Sequence, residues 1–90
     1  MLKKIKERKA KLNIIITLDC KKYNQKEFDI KVNDEQIIYE CLRIVNESLN
    51  INLPIEDINY CRSLREKKMI TIYGTFKENN ICTGDILALN

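Results

Sequence analysis

The chain contains no histidine and no tryptophan, and its 90 residues include only two glycines and one proline. Without histidine, no side chain with an ordinary pKa is poised to exchange protons near neutrality. Gly74 and Gly84 stand too far apart to build a glycine-rich phosphate loop. No apolar run approaches the ~20 residues that span a bilayer. The basic opening Met1-Leu2-Lys3-Lys4 is followed by neither an apolar stretch nor a small-residue cleavage site before Leu12, so a cleaved signal peptide is not expected. Cys20, Cys41, Cys61 and Cys82 are spread along the sequence and form no CxxC pair. A zinc site would need all four thiolates or borrowed carboxylates, and the expectation is reduced thiols filling small apolar positions. Cys20, beside Lys21 and Lys22, is the one cysteine whose neighbours would lower a thiol pKa. The expectation is therefore a protein that is not an enzyme, with no catalytic residue, no cofactor site and no metal ligand.

Charge is divided unevenly. Residues 1–11 carry six basic side chains against Glu7, a net of +5, while residues 12–90 carry ten basic and twelve acidic ones, a net of −2. The chain reads as a basic leader, residues 1–11, ahead of a mildly acidic domain, residues 12–90. Nucleic acid is not an expected partner of that body, which offers no basic stripe and no aromatic stacking platform. The leader leaves an alternative open, a small membrane- or nucleic-acid-binding protein. Basic residues near an anionic membrane contribute ~1 kcal/mol each.

From Leu12 the pattern has period two. Leu12, Ile14, Ile16 and Leu18 alternate with Asn13, Ile15, Thr17 and Asp19, which predicts a strand with its even-numbered side buried. A polar segment, Cys20 to Gln25, precedes a second alternation with Phe28, Ile30 and Val32 inward, so the two runs predict a hairpin. At Asn33-Asp34 the period changes. Ile38, Cys41, Leu42, Val45 and Leu49 fall on one helical stripe. The predicted helix has about four turns, starts near Asn33 to Gln36 with Asn33 or Asp34 as its cap and Asn33/Gln36 as a capping box, and ends near Leu49. Asn50 suits a left-handed close and Pro54 prevents continuation. Beyond it, strands are predicted over Ile58–Arg65, Met69–Tyr73 and Asp85–Leu89, with a connection between Gly74 and Gly84 anchored by Phe76 and Ile81. Polar and apolar residues do not alternate cleanly from Tyr60 to Leu64, and their facing stays open.

The resulting order, β-β-α-β-β-β, predicts an α+β fold: a mixed four- to five-stranded sheet with one helix packed on one face. The other face, carrying Ile15, Thr17, Asp19, Glu27 and Asp29, is left for solvent or a partner.

Two segments carry a family resemblance. Phe76 to Leu89, with a large apolar residue, an isoleucine five positions on, a Gly84-Asp85 turn and an alternating strand, resembles the end of the ubiquitin β-grasp fold. Thr17-Leu18-Asp19-Cys20-Lys21-Lys22-Tyr23-Asn24 resembles the T-x-D-x-x-x-Y-N stretch of the YukD/EsaB-type ubiquitin-like proteins of bacterial type VII (WXG100, ESX-like) secretion systems. The likeness covers about residues 12–90 and departs from the family in the leader. It implies a cytoplasmic accessory or adaptor protein, with recruitment to the inner face of the membrane as a further expectation. The implied partners are secretion-apparatus proteins, an FtsK/SpoIIIE-like ATPase or another membrane component. A homodimer and peripheral membrane contact through residues 1–11 remain alternatives. Conjugated ubiquitin-like proteins end in two glycines. Here the sequence closes on Leu87-Ala88-Leu89-Asn90, so non-covalent binding is expected.

The residues assigned to a partner are Ile15, Thr17, Asp19, Tyr23 and Asn24. For Asp19 and Asn24 the competing expectation is turn structure, in which they bond backbone amides, and for Tyr23 it is packing across the hairpin. Thr17, outward and mid-strand, is the expected centre of the contact.

Overall fold

The computed structural model describes residues 12–89. Residues 1–11 and Asn90 lie outside them, and with them the readings of the leader and of the final residue. Five strands, β1 (Asn13–Asp19), β2 (Glu27–Asn33), β3 (Tyr60–Ser63), β4 (Lys68–Thr71) and β5 (Ile86–Leu89), and one helix, α1 (Ile38–Leu49), follow the order β-β-α-β-β-β. The sheet order is β2-β1-β5-β3-β4, antiparallel except for the central β1–β5 pair. The predicted mixed sheet with one helix is the architecture found.

β1 and β2 follow directly from their alternation. Ile14 faces Val32, Ile16 faces Ile30 and Leu18 faces Phe28 across the ladder. Ile14, Ile16, Leu18 and Val32 are buried, and Phe28 and Ile30 pack half-buried against them. The buried stripe of α1, Ile38, Cys41, Leu42 and Val45, covers this face. Leu87 and Leu89 of β5 complete the core, with Phe76 and Ile81 anchoring the connection before it. Leu12 breaks the expectation for the even-numbered side: it precedes β1 and is 59% exposed. Leu49, the last residue of α1, is also exposed.

The helix begins later than predicted. Its 12 residues start at Ile38, about three turns rather than four, and no side chain caps it. Asn33 instead closes a turn: its Oδ1 accepts the Glu35 N–H at 2.9 Å and its carbonyl accepts the Gln36 N–H at 3.0 Å. Asp34 is buried and ties down the start of the hairpin, its Oδ1 accepting the Leu12 N–H at 3.0 Å. The first helical amides find backbone acceptors. Ile38 N–H donates to the Gly74 carbonyl at 3.0 Å and Tyr39 N–H to the Ile72 carbonyl at 2.8 Å. A capping box is a local device, and here a distant segment satisfies the amides at the helix start instead. At the other end Asn50 adopts the predicted left-handed conformation (φ 54°).

In the second half the strands are shorter than predicted. Ile58 is buried but precedes β3, Leu64 and Arg65 belong to the turn, and β4 ends at Thr71. The open facing is resolved: Cys61 and Ser63 point inward, Tyr60 and Arg62 outward. The apparent loss of alternation came from Ser63, a polar residue on the buried side. Its hydroxyl lies 3.1 Å from both carboxylate oxygens of Asp85, which is itself fully buried. The same carboxylate accepts the Ile86 N–H at 2.9 Å and lies 3.5 Å from the Arg65 guanidinium. This pairing offsets the cost of burying the charge.

Candidate interaction surface

The helix covers one face of the sheet. Register fixes what the other presents. On β1 and β2 the outward residues are Ile15 opposite Lys31, Thr17 opposite Asp29, and Asp19 opposite Glu27. β5 continues the rows with Ile86 beside Thr17 and Ala88 beside Asp19, and Arg62 and Met69 extend the second row through β3 and β4. Ile15 is 52% exposed and Tyr60 53%, with Leu64 and Met69 also exposed. These apolar groups lie on both sides of half-buried Ile86 and Ala88.

Each residue assigned to a partner has a definite place. Ile15 keeps its side chain free while its backbone is used: its N–H donates to Thr83 Oγ1 at 3.1 Å and its carbonyl accepts the Gly84 N–H at 2.9 Å. Thr17 is half-buried, and its hydroxyl donates to Asp29 Oδ1 at 2.7 Å across the hairpin. Asp19 Oδ1 accepts the Lys21 N–H at 3.0 Å, as turn structure requires, and its other oxygen lies 3.9 Å from Lys21 Nζ. Tyr23 packs against the core. Asn24 sits in the left-handed region (φ 64°), where its N–H closes the 3-10 turn Lys21–Tyr23 onto the Lys21 carbonyl. Thr17, Asp19 and Asn24 therefore shape the hairpin, and Ile15 alone of the five presents a large exposed apolar side chain on the sheet face. The sequence reading left the β3–β4 side of this surface open, with the facing of Tyr60 to Leu64. Its signal was present in Tyr60, Leu64 and Met69, but needed the facing of β3 to be read.

Cys20 does not fit a nucleophile. It is fully buried, and burial, then the nearby Asp19 charge, raises its thiol pKa from 9.0 to about 11. Burial likewise raises Cys41 to about 11, and burial and then Asp85 raise Cys61 to about 12. Cys82 alone among the four is exposed. Among the described residues no three Cys, Asp or Glu side chains gather to hold a metal ion. No helix among them is long and apolar enough to cross a membrane.

Solved structures with the same architecture are known. A de novo designed protein based on ubiquitin superposes with a TM-score of 0.67 at 18% identity, over 87% of each chain. The C-terminal ubiquitin-like domain of mouse tubulin-specific chaperone e superposes with a TM-score of 0.65 at 10% identity, over 89% of this chain and 87% of that one. The fold is a ubiquitin-like β-grasp. No protein-family model and no curated protein matches the chain. At these identities the likeness reaches the fold and stops there. A ubiquitin-like domain has no site intrinsic to its topology, so what this one binds must be argued from its own surface.

Proposed function

We propose that this chain is a non-enzymatic adaptor of a bacterial type VII secretion system, acting by non-covalent protein–protein binding through the open face of its ubiquitin-like sheet. The observation that carries the binding reading is the exposure of Ile15, Tyr60, Leu64 and Met69 on the face opposite the helix. Apolar side chains gathered on one face of a small domain mark an interaction surface. Association with secretion rests on the resemblance of Thr17 to Asn24 to the YukD/EsaB-type stretch.

The partner this surface fits is a protein with an apolar patch and a carboxylate placed to meet Arg62, which lies exposed between Ala88 and Met69. Within the proposed setting that partner is an FtsK/SpoIIIE-like ATPase or another membrane component of the apparatus. Complementation tests the reading. A strain lacking the gene, carrying Ile15→Arg or Leu64→Arg, is expected to lose secretion while circular dichroism of both purified variants stays native. Thr17→Arg adds loss of the Asp29 bond and serves as the stronger variant. Normal secretion by all three folded variants places the function elsewhere, as would a gene neighbourhood without secretion ATPase and WXG100 genes.

A further inference from the structure

Strand direction decides which loops share an end of the sheet. Thr17 of β1 stands beside Ile86 of β5, Leu87 stands beside Ser63 of β3, and Ser63 faces Lys68 of β4. β1 and β5 run one way and β3 the other, so the β3–β4 turn, Leu64 to Lys67, lies at the end where β1 begins. The turn at Thr83 and Gly84 sits between the two. Thr83 Oγ1 accepts the Ile15 N–H at 3.1 Å, and the Ile15 carbonyl accepts the Gly84 N–H at 2.9 Å. Leu12 and Leu64, both exposed, stand at this end. The exposed tyrosines Tyr60 and Tyr73 lie at the other, one opening β3 and one following β4.

The basic residues of the β3–β4 turn are used unequally. Arg65 serves the fold: its guanidinium lies 3.0 Å from Glu66 and 3.5 Å from buried Asp85, and it donates to the Asn80 carbonyl. Both carboxylates at the turn are thereby engaged. Lys67 and Lys68 are exposed and have no ion pair among the described residues. The backbone singles out Lys67. Among the described residues, Asn24, Asn50, Asn52 and Asn80 have positive φ, and Lys67, at 57°, is the one other non-glycine residue that does. Asparagine tolerates this region, whereas a lysine there is strained, and no bond of its ammonium to the described residues offsets the strain. A residue held against its backbone preference points to a use for its side chain. The chain entering at Leu12 adds charge of the same sign, since residues 1–11 carry a net of +5.

We infer that this end of the sheet, with Lys67 and Lys68 and the flanking Leu12 and Leu64, docks on the surface of an anionic lipid bilayer. The ammonium groups meet headgroup phosphates, and the two leucines enter the interface beside them. Cations mixed with aliphatic side chains suit the boundary between headgroups and acyl chains. A nucleic acid would instead need a stacking platform, and the exposed tyrosines stand at the far end. Each basic residue held near anionic lipid strengthens the attraction, and the leader joins the fold at the docking end, where its charge acts with that of the turn. Leu64 is shared with the open sheet face, but Lys67 and Lys68 are not. The test rests on those two lysines, so this inference stands or falls independently of the adaptor reading.

The full chain is sedimented with vesicles of phosphatidylcholine mixed with phosphatidylglycerol, and with vesicles of phosphatidylcholine alone. Binding is expected to the anionic vesicles only and should weaken with salt. Lys67→Asn is expected to lower partitioning about fivefold while raising resistance to urea, because asparagine suits the left-handed backbone. Lys68→Gln is expected to lower it about as much with stability unchanged. Lys22→Gln removes the same charge beyond the opposite end of β1 and is expected to change partitioning less than about twofold. The chain has no tryptophan, so single tryptophans report which end docks. Leu12→Trp and Leu64→Trp are expected to shift their emission to the blue on anionic vesicles, and Tyr60→Trp is not. Circular dichroism checks the fold of each variant. Equal losses from Lys22→Gln and Lys67→Asn, a blue shift at position 60 alone, equal binding to both vesicle types, or binding to neither would each overturn the proposal. So would tighter binding to a single-stranded oligonucleotide with the same dependence on Lys67 and Lys68.

Discussion

The two halves of the domain are held together differently. From Leu12 to Asn50, the hairpin and helix pack by apolar periodicity, with strand partners close in sequence and the stripe of α1 laid across them. From Ile51 to Leu89, three strands of four residues each are assembled around a buried carboxylate. Asp85 bonds Ser63 and its own following amide, while Asn46 reaches out of the helix to pin the chain after it, its Oδ1 accepting the Leu53 N–H at 2.7 Å. Periodic hydrophobicity builds elements whose partners are neighbours. The pairing of β3 with β5, remote from it in sequence, is fixed beside the Ser63–Asp85 contact.

The largest test of this contrast is in the helix. Leu42→Ala removes a fully buried side chain from the stripe and is expected to cost about 2–5 kcal/mol in chemical denaturation. A loss below about 1 kcal/mol would mean that α1 does not carry the first half. Asp85→Ala comes next. It strands the buried Ser63 hydroxyl and the Ile86 amide, with an expected cost of about 1–3 kcal/mol, and hydrogen-exchange protection should fall first in β3 and β5. Uniform loss across the sheet would erase the distinction between the halves. Asn46→Ala, which frees the Leu53 amide, should cost about 1 kcal/mol.

How much of this was legible follows the same division. Ile14 to Leu18 and Ile38 to Val45 announced themselves because each period repeats several times. The cap of α1 was misread because Asn33 and Gln36 fit a local pattern, whereas Gly74 and Ile72, remote in sequence, provide the acceptors. Ser63 hid the facing of β3, since a serine on the core side makes sense only once Asp85 stands opposite it. On the candidate surface, Ile15 was visible as an apolar residue on the wrong side of an alternation. The contributions of Tyr60, Leu64 and Met69 depended on strand register, and so did the meeting of Leu12, Lys67 and Lys68 at one end of the sheet.

Alkali offers a smaller effect that spans both halves. Cys20, Cys41 and Cys61 have thiol pKa values of about 11, 11 and 12 in the fold against 9.0 when free. Above pH 9 the unfolded chain releases these protons while the native one keeps them, so the unfolded state binds fewer and stability falls as pH rises. The contribution is complete below about pH 9 and is lost progressively toward pH 11–12, a decline that urea titrations across this range should record. Native-state alkylation should label Cys82 rapidly and the other three only on unfolding. The smallest expected change is in the surface variants: Ile15→Arg should shift stability by no more than about 0.5 kcal/mol, since its side chain supports neither half.

The central claim, that the open sheet face binds a protein of the secretion apparatus, is met most directly by site-specific photocrosslinking in the native host. A benzophenone side chain at position 15 or 64 places the probe on that face, and one at position 56 places it on an exposed turn beyond the helix. The account predicts a discrete adduct with a membrane-associated apparatus protein from positions 15 and 64 and none from 56. Adducts from position 56 alone, or equal and diffuse labelling from all three, would contradict it.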